Sequence, residues 1–151
     1  MVKNRVVADS ELFYATVDLI LGSKKTLVLI QPNLSRIEHL LEKLQEIKKK
    51  GAEIYIVTKP EDKDSSHKKS LIFLENLGCK VFTDPMINGR LIIRDQDELL
   101  TSSADLSKTA SDRNFDVGIR TNDKDLINKA LDYAEKLMQV IDKKRKKHSQ
   151  G

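Results

Sequence analysis

Three strand-length apolar runs, each separated from the next by one helix-length amphipathic segment, constrain this chain more than any other feature. Thr26-Leu27-Val28-Leu29-Ile30, Glu53-Ile54-Tyr55-Ile56-Val57 and Cys79-Lys80-Val81-Phe82-Thr83 read as strands. The first is apolar without interruption, the pattern of a strand buried on both faces. Between the first and second, Ile37, Leu40, Leu41, Leu44 and Ile47 keep helical spacing until Gly51, with Ser35 placed to cap. Between the second and third, a polar stretch leads to Ser65 or Ser66 as a cap. Leu71, Ile72, Leu74 and Leu77 then form an inner face that ends at Gly78. Strands joined through a single helix run parallel by right-handed crossovers. A further helix precedes the first strand. Asp9 or Ser10 caps it, Leu12, Phe13, Val17, Leu19, Ile20 and Leu21 give its apolar face, and Gly22 ends it.

The second half changes character. Arg90-Leu91-Ile92-Ile93-Arg94 is a strand, and Asp95-Gln96-Asp97-Glu98 is a tight polar turn. Leu99-Leu100-Thr101-Ser102 returns antiparallel. A polar loop spans Ser103 to Arg113, and Phe115 to Arg120 is another strand. Asn122 or Asp123 then caps a long helix whose face of Leu126, Ile127, Ala130, Leu131, Ala134, Leu137, Met138 and Ile141 belongs to the core. The expectation is one α/β domain over residues 1–142 and a basic tail over residues 143–151. Its sheet is mixed and mainly parallel, with helices on both faces.

Charge and cysteine content narrow the function classes. The net charge of +4 comes from 27 basic and 23 acidic residues. Lys143, Lys144, Arg145, Lys146 and Lys147 hold five of the 27, which leaves a body of 22 against 23. The positive charge therefore describes a tail, either a solvated helix end or an arm that attracts nucleic-acid phosphates. Cys79 is the one cysteine, so no intrachain disulfide forms. The expectation is a cytoplasmic protein with Cys79 as a small buried hydrophobe. His39, His67 and His148 are scattered, and no cluster has metal-ligand spacing, so neither a metal nor a cofactor is expected. His67 reads as a solvated residue at a helix start, and Tyr14, Tyr55 and Tyr133 as packing residues with wet hydroxyls. No apolar run reaches membrane-span length. The 33% charged content, with no Trp, is a composition common among thermophile proteins.

The most informative segment is Asn88-Gly89-Arg90, four residues, Asp95, six residues, then Ser102-Ser103-Ala104-Asp105. It resembles the H-x-K-x4-D-x6-G-S-x-N signature of the phospholipase D superfamily, with every spacing kept. Asn88 stands at the histidine position, Arg90 at the lysine, Ser102 at the glycine and Asp105 at the asparagine. Asp95 and Ser103 are retained. Asn114-Phe115-Asp116-Val117-Gly118 likewise resembles the family's N-x-E-x-G strand, with Asp116 for the glutamate. The resemblance runs from about Leu12 to Met138. It implies a fold of this family and a homodimer, because the family's site needs two copies of the signature at one axis.

The resemblance also implies lost chemistry. In the family, one histidine attacks phosphorus and a second protonates the leaving group. An asparagine amide is not nucleophilic, so the covalent step disappears at Asn88. Arg90 keeps a cation whose planar fork grips anions, whereas Asp105 brings a carboxylate where a phosphoryl oxygen would lie. Three readings of the slot stand. It is a structural ion-pair site, with Arg90 on Asp105 or Asp95 and Asp116 nearby. It is a ligand slot for a phosphate, sugar or nucleotide, formed by Asn88, Arg90, Ser102 and Ser103. Or it retains catalysis. The chain is accordingly read as an inactive, homodimeric binding or regulatory domain. The alternative is a metal-independent phosphodiesterase or nuclease.

Overall fold

The computed structural model describes residues 1–61, 65–107 and 114–150. Strands β1 (Asn4–Ala8), β2 (Thr26–Ile30), β3 (Glu53–Thr58), β4 (Lys80–Thr83), β5 (Leu91–Arg94), β6 (Glu98–Ser102) and β7 (Val117–Thr121) form one sheet in the order β1-β7-β6-β5-β2-β3-β4. Helices α1 (Ser10–Leu21), α2 (Glu38–Lys49) and α3 (Ser65–Leu77) cover one face, and α4 (Lys124–Gln150) crosses the other. The expected α/β class, the mixed sheet and the helices on both faces are all present.

The balance of the sheet differs from the mainly parallel expectation. Parallel pairing is confined to β2–β3 and β3–β4, where helical crossovers dictate it. The β5–β6 hairpin inserts beside β2, and β7 and β1 extend the sheet from it, so the other four pairings are antiparallel. Strand β1 was not expected at all. Its adjacent Val6 and Val7 break the period of two, and it sits at the edge with most of its residues exposed.

Alternation along the strands divides the core in two. Leu27, Leu29, Ile54, Ile56, Ile92 and Leu100 meet the inner faces of α1, α2 and α3, including Leu19, Leu44 and Leu74. Val28, Ile30, Val57, Ile93 and Leu99 meet Ile127, Ala134 and Ile141 of α4. Burying a side chain of this size contributes roughly 1.5–3 kcal/mol, so these two layers hold the sheet between them. Cys79 is buried as expected. Burial pushes its thiol pKa up to about 11, against a smaller opposing effect of Lys48.

Several side chains do other work than the sequence suggested. Asp123 caps α4 as expected, accepting the Asp125 N–H at 2.9 Å. Asp9 makes no side-chain cap on α1, and α2 has none from Ser35. Asp9 instead turns the chain at φ 51° and accepts the Asp116 N–H, while Ser35 bonds to Asn33. Ser66 accepts the Arg36 N–H and so ties the α2 entry to α3. Tyr14, Tyr133, Ile72 and Leu126 are exposed, not packed, whereas Tyr55 is half-buried with its hydroxyl on Glu53. No helix among the described residues is long and apolar enough to cross a membrane.

Candidate functional site

The carboxyl ends of the parallel strands β2 and β3, the start of β5 and the end of β6 meet at one end of the sheet. In an open α/β sheet, ligands bind at this end. The loop after β2 supplies Pro32 and Asn33, and the residue after β3 supplies Lys59. The approach to β5 supplies Asn88 and Arg90, and the loop after β6 supplies Asp105. With His67 of α3 they line an open cleft of about 260 Å³. Arg90 and Asp105, 15 positions apart in the chain, are joined by Arg90 Nε donating to Asp105 Oδ1 at 3.1 Å. Both side chains are partly buried. The two Nη groups of Arg90 and the Lys59 ammonium have no acceptor among the described residues, and both cations border the cleft.

His67 is the main correction to the sequence reading. It is 2% exposed and not solvated. Its Nδ1 accepts the Leu34 N–H at 2.9 Å, and its Nε2 lies 2.8 Å from the Lys59 carbonyl oxygen. With Nδ1 accepting, the tautomer assigned by these bonds carries its proton on Nε2. Ser70, one turn further along α3, donates to the Leu34 carbonyl at 2.7 Å. The ring therefore fastens the loops that carry Asn33 and Lys59, and neither nitrogen is available as a nucleophile.

The remaining signature positions separate into two groups. Ser103 and Asp116 form a knot beside the cleft. Ser103 Oγ donates to Asp116 Oδ1 at 2.7 Å and accepts the Val117 N–H, and the Ser103 N–H bonds to the Val117 carbonyl. Asp9 closes the knot through its bonds with the Asp116 backbone. Asp116 Oδ2 is buried without a partner among the described residues. Ser102 Oγ accepts the Ala104 N–H and so turns the loop toward Asp105. Gly118 fits its position because a Cβ there would stand 2.7 Å from the Thr101 carbonyl oxygen.

Asp95 does not reach the cleft. It lies past Arg94 at the far end of β5, so Arg90 pairs with Asp105 and not with Asp95. Asp95 accepts the N–H groups of Lys24, Lys25 and Thr26 at 2.7–3.1 Å, anchoring the hairpin to the start of β2. Burial works against its charge, but those three N–H groups and Arg94 outweigh it and hold its pKa below the ordinary value.

The basic C-terminal residues continue α4 without a break. Lys144 donates to Asp84 at 3.0 Å, just after β4, so the end of α4 emerges at the cleft end of the sheet. The Met86 N–H, then Lys144, hold the Asp84 carboxyl below its ordinary range. Lys143, Arg145, Lys146 and Lys147 are exposed there.

Lys59, Asn33 and the buried role of His67 were missed from the sequence. A usable signal existed for the first two, since each follows the carboxyl end of a predicted parallel strand. No group of three or more His, Cys, Asp or Glu among the described residues is arranged to hold a metal ion.

Among curated proteins no relative matches. Solved structures resemble the fold closely. Nuc from Salmonella typhimurium, a phospholipase D family member, aligns at TM-score 0.81 and 18% identity over 90% of this chain and 93% of its own. NucT from Helicobacter pylori aligns at 0.83 and 17%, over 93% and 98%. TrmBL2, an archaeal chromatin protein, aligns at 0.69 and 12%, over 91% of this chain and 53% of its own. The family model for the PLD-like domain of cardiolipin synthase matches residues 16–138. With the signature spacing kept on a hairpin at the ligand end of such a sheet, this chain belongs to the PLD-like family.

Proposed function

We propose that this chain is a non-catalytic PLD-like domain that works as a homodimer and binds a phosphate-bearing ligand. The observation that carries the reading is the Arg90–Asp105 pair beside Asn88. The position that would need a nucleophilic imidazole holds an amide, and the nearest histidine has both ring nitrogens engaged. Without a nucleophile there is no phospho-enzyme. Binding is still supported, because Arg90 spends only Nε on Asp105. Its Nη pair and Lys59 leave the cleft with one net positive charge, suited to a phosphoryl oxygen.

A second copy is supported by an uncovered apolar surface. Val6, Val117 and Ile119 are 70%, 52% and 49% exposed. Ile119 is in register with both Val6 and Thr101, which places the three on the face that α4 covers only in part. Along α4, Leu126, Tyr133 and Val140 are exposed at seven-residue intervals beside the buried stripe, while Ala130 and Leu137 between them pack partly against the core, and such an exposed row is the pattern of a helix seam that wants a partner. The basic end of α4 supports nucleic acid as the phosphate source, and TrmBL2, a DNA-binding neighbour of similar fold, points the same way.

The test is hydrolysis of bis(p-nitrophenyl) phosphate in EDTA. No turnover is expected, while phosphate at matched ionic strength raises the melting temperature of the wild type more than that of Arg90→Ala. The second reading, a metal-independent phosphodiesterase or nuclease, is favoured by the likeness to Nuc and NucT. Turnover that copurifies with the protein and vanishes in Arg90→Ala would establish it and overturn the first.

A further inference from the structure

A second basic groove lies at the opposite end of the sheet, about 320 Å³ in volume and lined by Lys3, Arg5, Asp18, Glu98, Arg120, Thr121 and Asn122. Its floor is the outer part of β1 and β7, where Arg5 and Arg120 stand directly opposite each other in register. Two like charges in that relation destabilise a strand pair. Arg120 is compensated. It donates to Glu98 at 2.6 Å and to Asp18 at 2.8 Å, and Glu98 is shared with Arg94 at 3.3 Å. Both carboxylates are thereby committed. The Arg5 guanidinium and the Lys3 ammonium have no acceptor among the described residues, although both line the groove. Lys3 is fixed in place by its backbone N–H on Asn122 Oδ1. The edge strand thus holds a guanidinium fork and an ammonium without a direct acceptor among the described residues, and the three cations of the groove outnumber its two carboxylates by one.

We propose that this groove is an anion site that takes a phosphoryl group, with Arg5 and Lys3 as its charged contacts and Arg120 as its rim. A fork paired with an ammonium matches the two or three oxygens of a phosphoryl group better than the single charge of chloride. The groove and the Arg90 cleft occupy opposite ends of the sheet and share no lining residue, so the inference does not depend on the function proposed for that cleft. The phosphoryl group has two sources, a free phosphate compound or a nucleic-acid backbone, and the experiment separates them.

Amide chemical shifts of the ¹⁵N-labelled full chain are followed during titration with pyrophosphate, and separately with a short single-stranded oligonucleotide. Sodium chloride at matched ionic strength is the reference. Saturable shifts are expected at Lys3, Arg5 and Thr121. Saturation by pyrophosphate identifies a free phosphate compound, and saturation by the oligonucleotide alone identifies a backbone. Arg5→Ala is expected to weaken the distal response about tenfold, the loss of roughly one charge-assisted hydrogen bond. Arg90→Ala is expected to leave it unchanged. Arg5 is exposed on an edge strand, so Arg5→Ala keeps the fold and its melting temperature does not fall, whereas a purely structural arginine would lower it. Shifts that match the chloride reference, or that survive Arg5→Ala and disappear in Arg90→Ala, overturn the proposal.

Discussion

Asp95 and its neighbour Gln96 both have positive φ, 51° and 60°, in a three-residue connection that the Asp97 N–H closes on the Arg94 carbonyl at 2.9 Å. The carboxylate turns back to three N–H groups at the start of β2 and so fixes where β5 sits beside it. Asp95→Asn keeps the shape and tolerates the left-handed backbone but halves the accepting oxygens. A loss of about 1–3 kcal/mol is expected by urea unfolding. The pH dependence follows from the sign of the shift. The folded pKa lies below the unfolded one, so this stabilisation is complete above the ordinary carboxylate value and is lost as pH falls through the lowered value. The stability gap between wild type and variant should be flat at neutral pH and close in acid. At this scale the sequence was only half legible. Asp95 was recognised as a signature residue, but nothing in residue type or spacing says that it serves the hairpin and not the cleft. The same holds for Arg90, which pairs with Asp105 because the loop after β6 returns to the start of β5 while Asp95 follows its far end.

Among the elements, the parallel core was legible because β2 and β3 carry continuous apolar runs and α2 and α3 keep a helical period between them. The edge was not, since β1 offers no alternation, and its pairing with β7 is a contact between residues more than a hundred positions apart. The connections between elements were misread at His67 in particular. Its lysine neighbours Lys68 and Lys69 suggested a wet helix start, yet one position of an α3 turn faces inward and finds a backbone donor and an acceptor there. Because the ring joins two loops to α3, His67→Ala should act on both. A destabilisation of about 2–4 kcal/mol is expected, from unsatisfied Leu34 and Lys59 backbone groups plus a cavity. Faster amide exchange at Asn33–Ser35 and Lys59 would check it. Exchange that rises uniformly across the sheet would show a merely global effect.

Taken whole, the molecule is asymmetric. One sheet face is closed by three helices, and the other is crossed by a single helix that leaves β1 and β7 bare. A stable protein interface covers about 800 Å² per partner, and the bare strands together with the outer stripe of α4 offer the apolar part of such an area. Ile119→Asp and Tyr133→Glu should each convert a dimer to a monomer without loss of helical content, read by light scattering and circular dichroism. A wild type that is monomeric at tens of micromolar would remove the shared-axis arrangement. Sequence periodicity placed Leu126 in the core face of α4 with Ile127 and Ala134, because spacing alone does not distinguish a side chain buried in its own fold from one left at the surface.

The Arg90–Asp105 contact has a consequence for how such a slot behaves in use. On the proposed reading, an incoming phosphate would share the arginine with a rival that is tethered on the same chain at an effective concentration of about millimolar or more. Weak occupancy and quick release follow. A pocket that carries its own competitor fills only when its ligand is abundant, so the proposed slot would suit sensing supply better than storing a scarce compound.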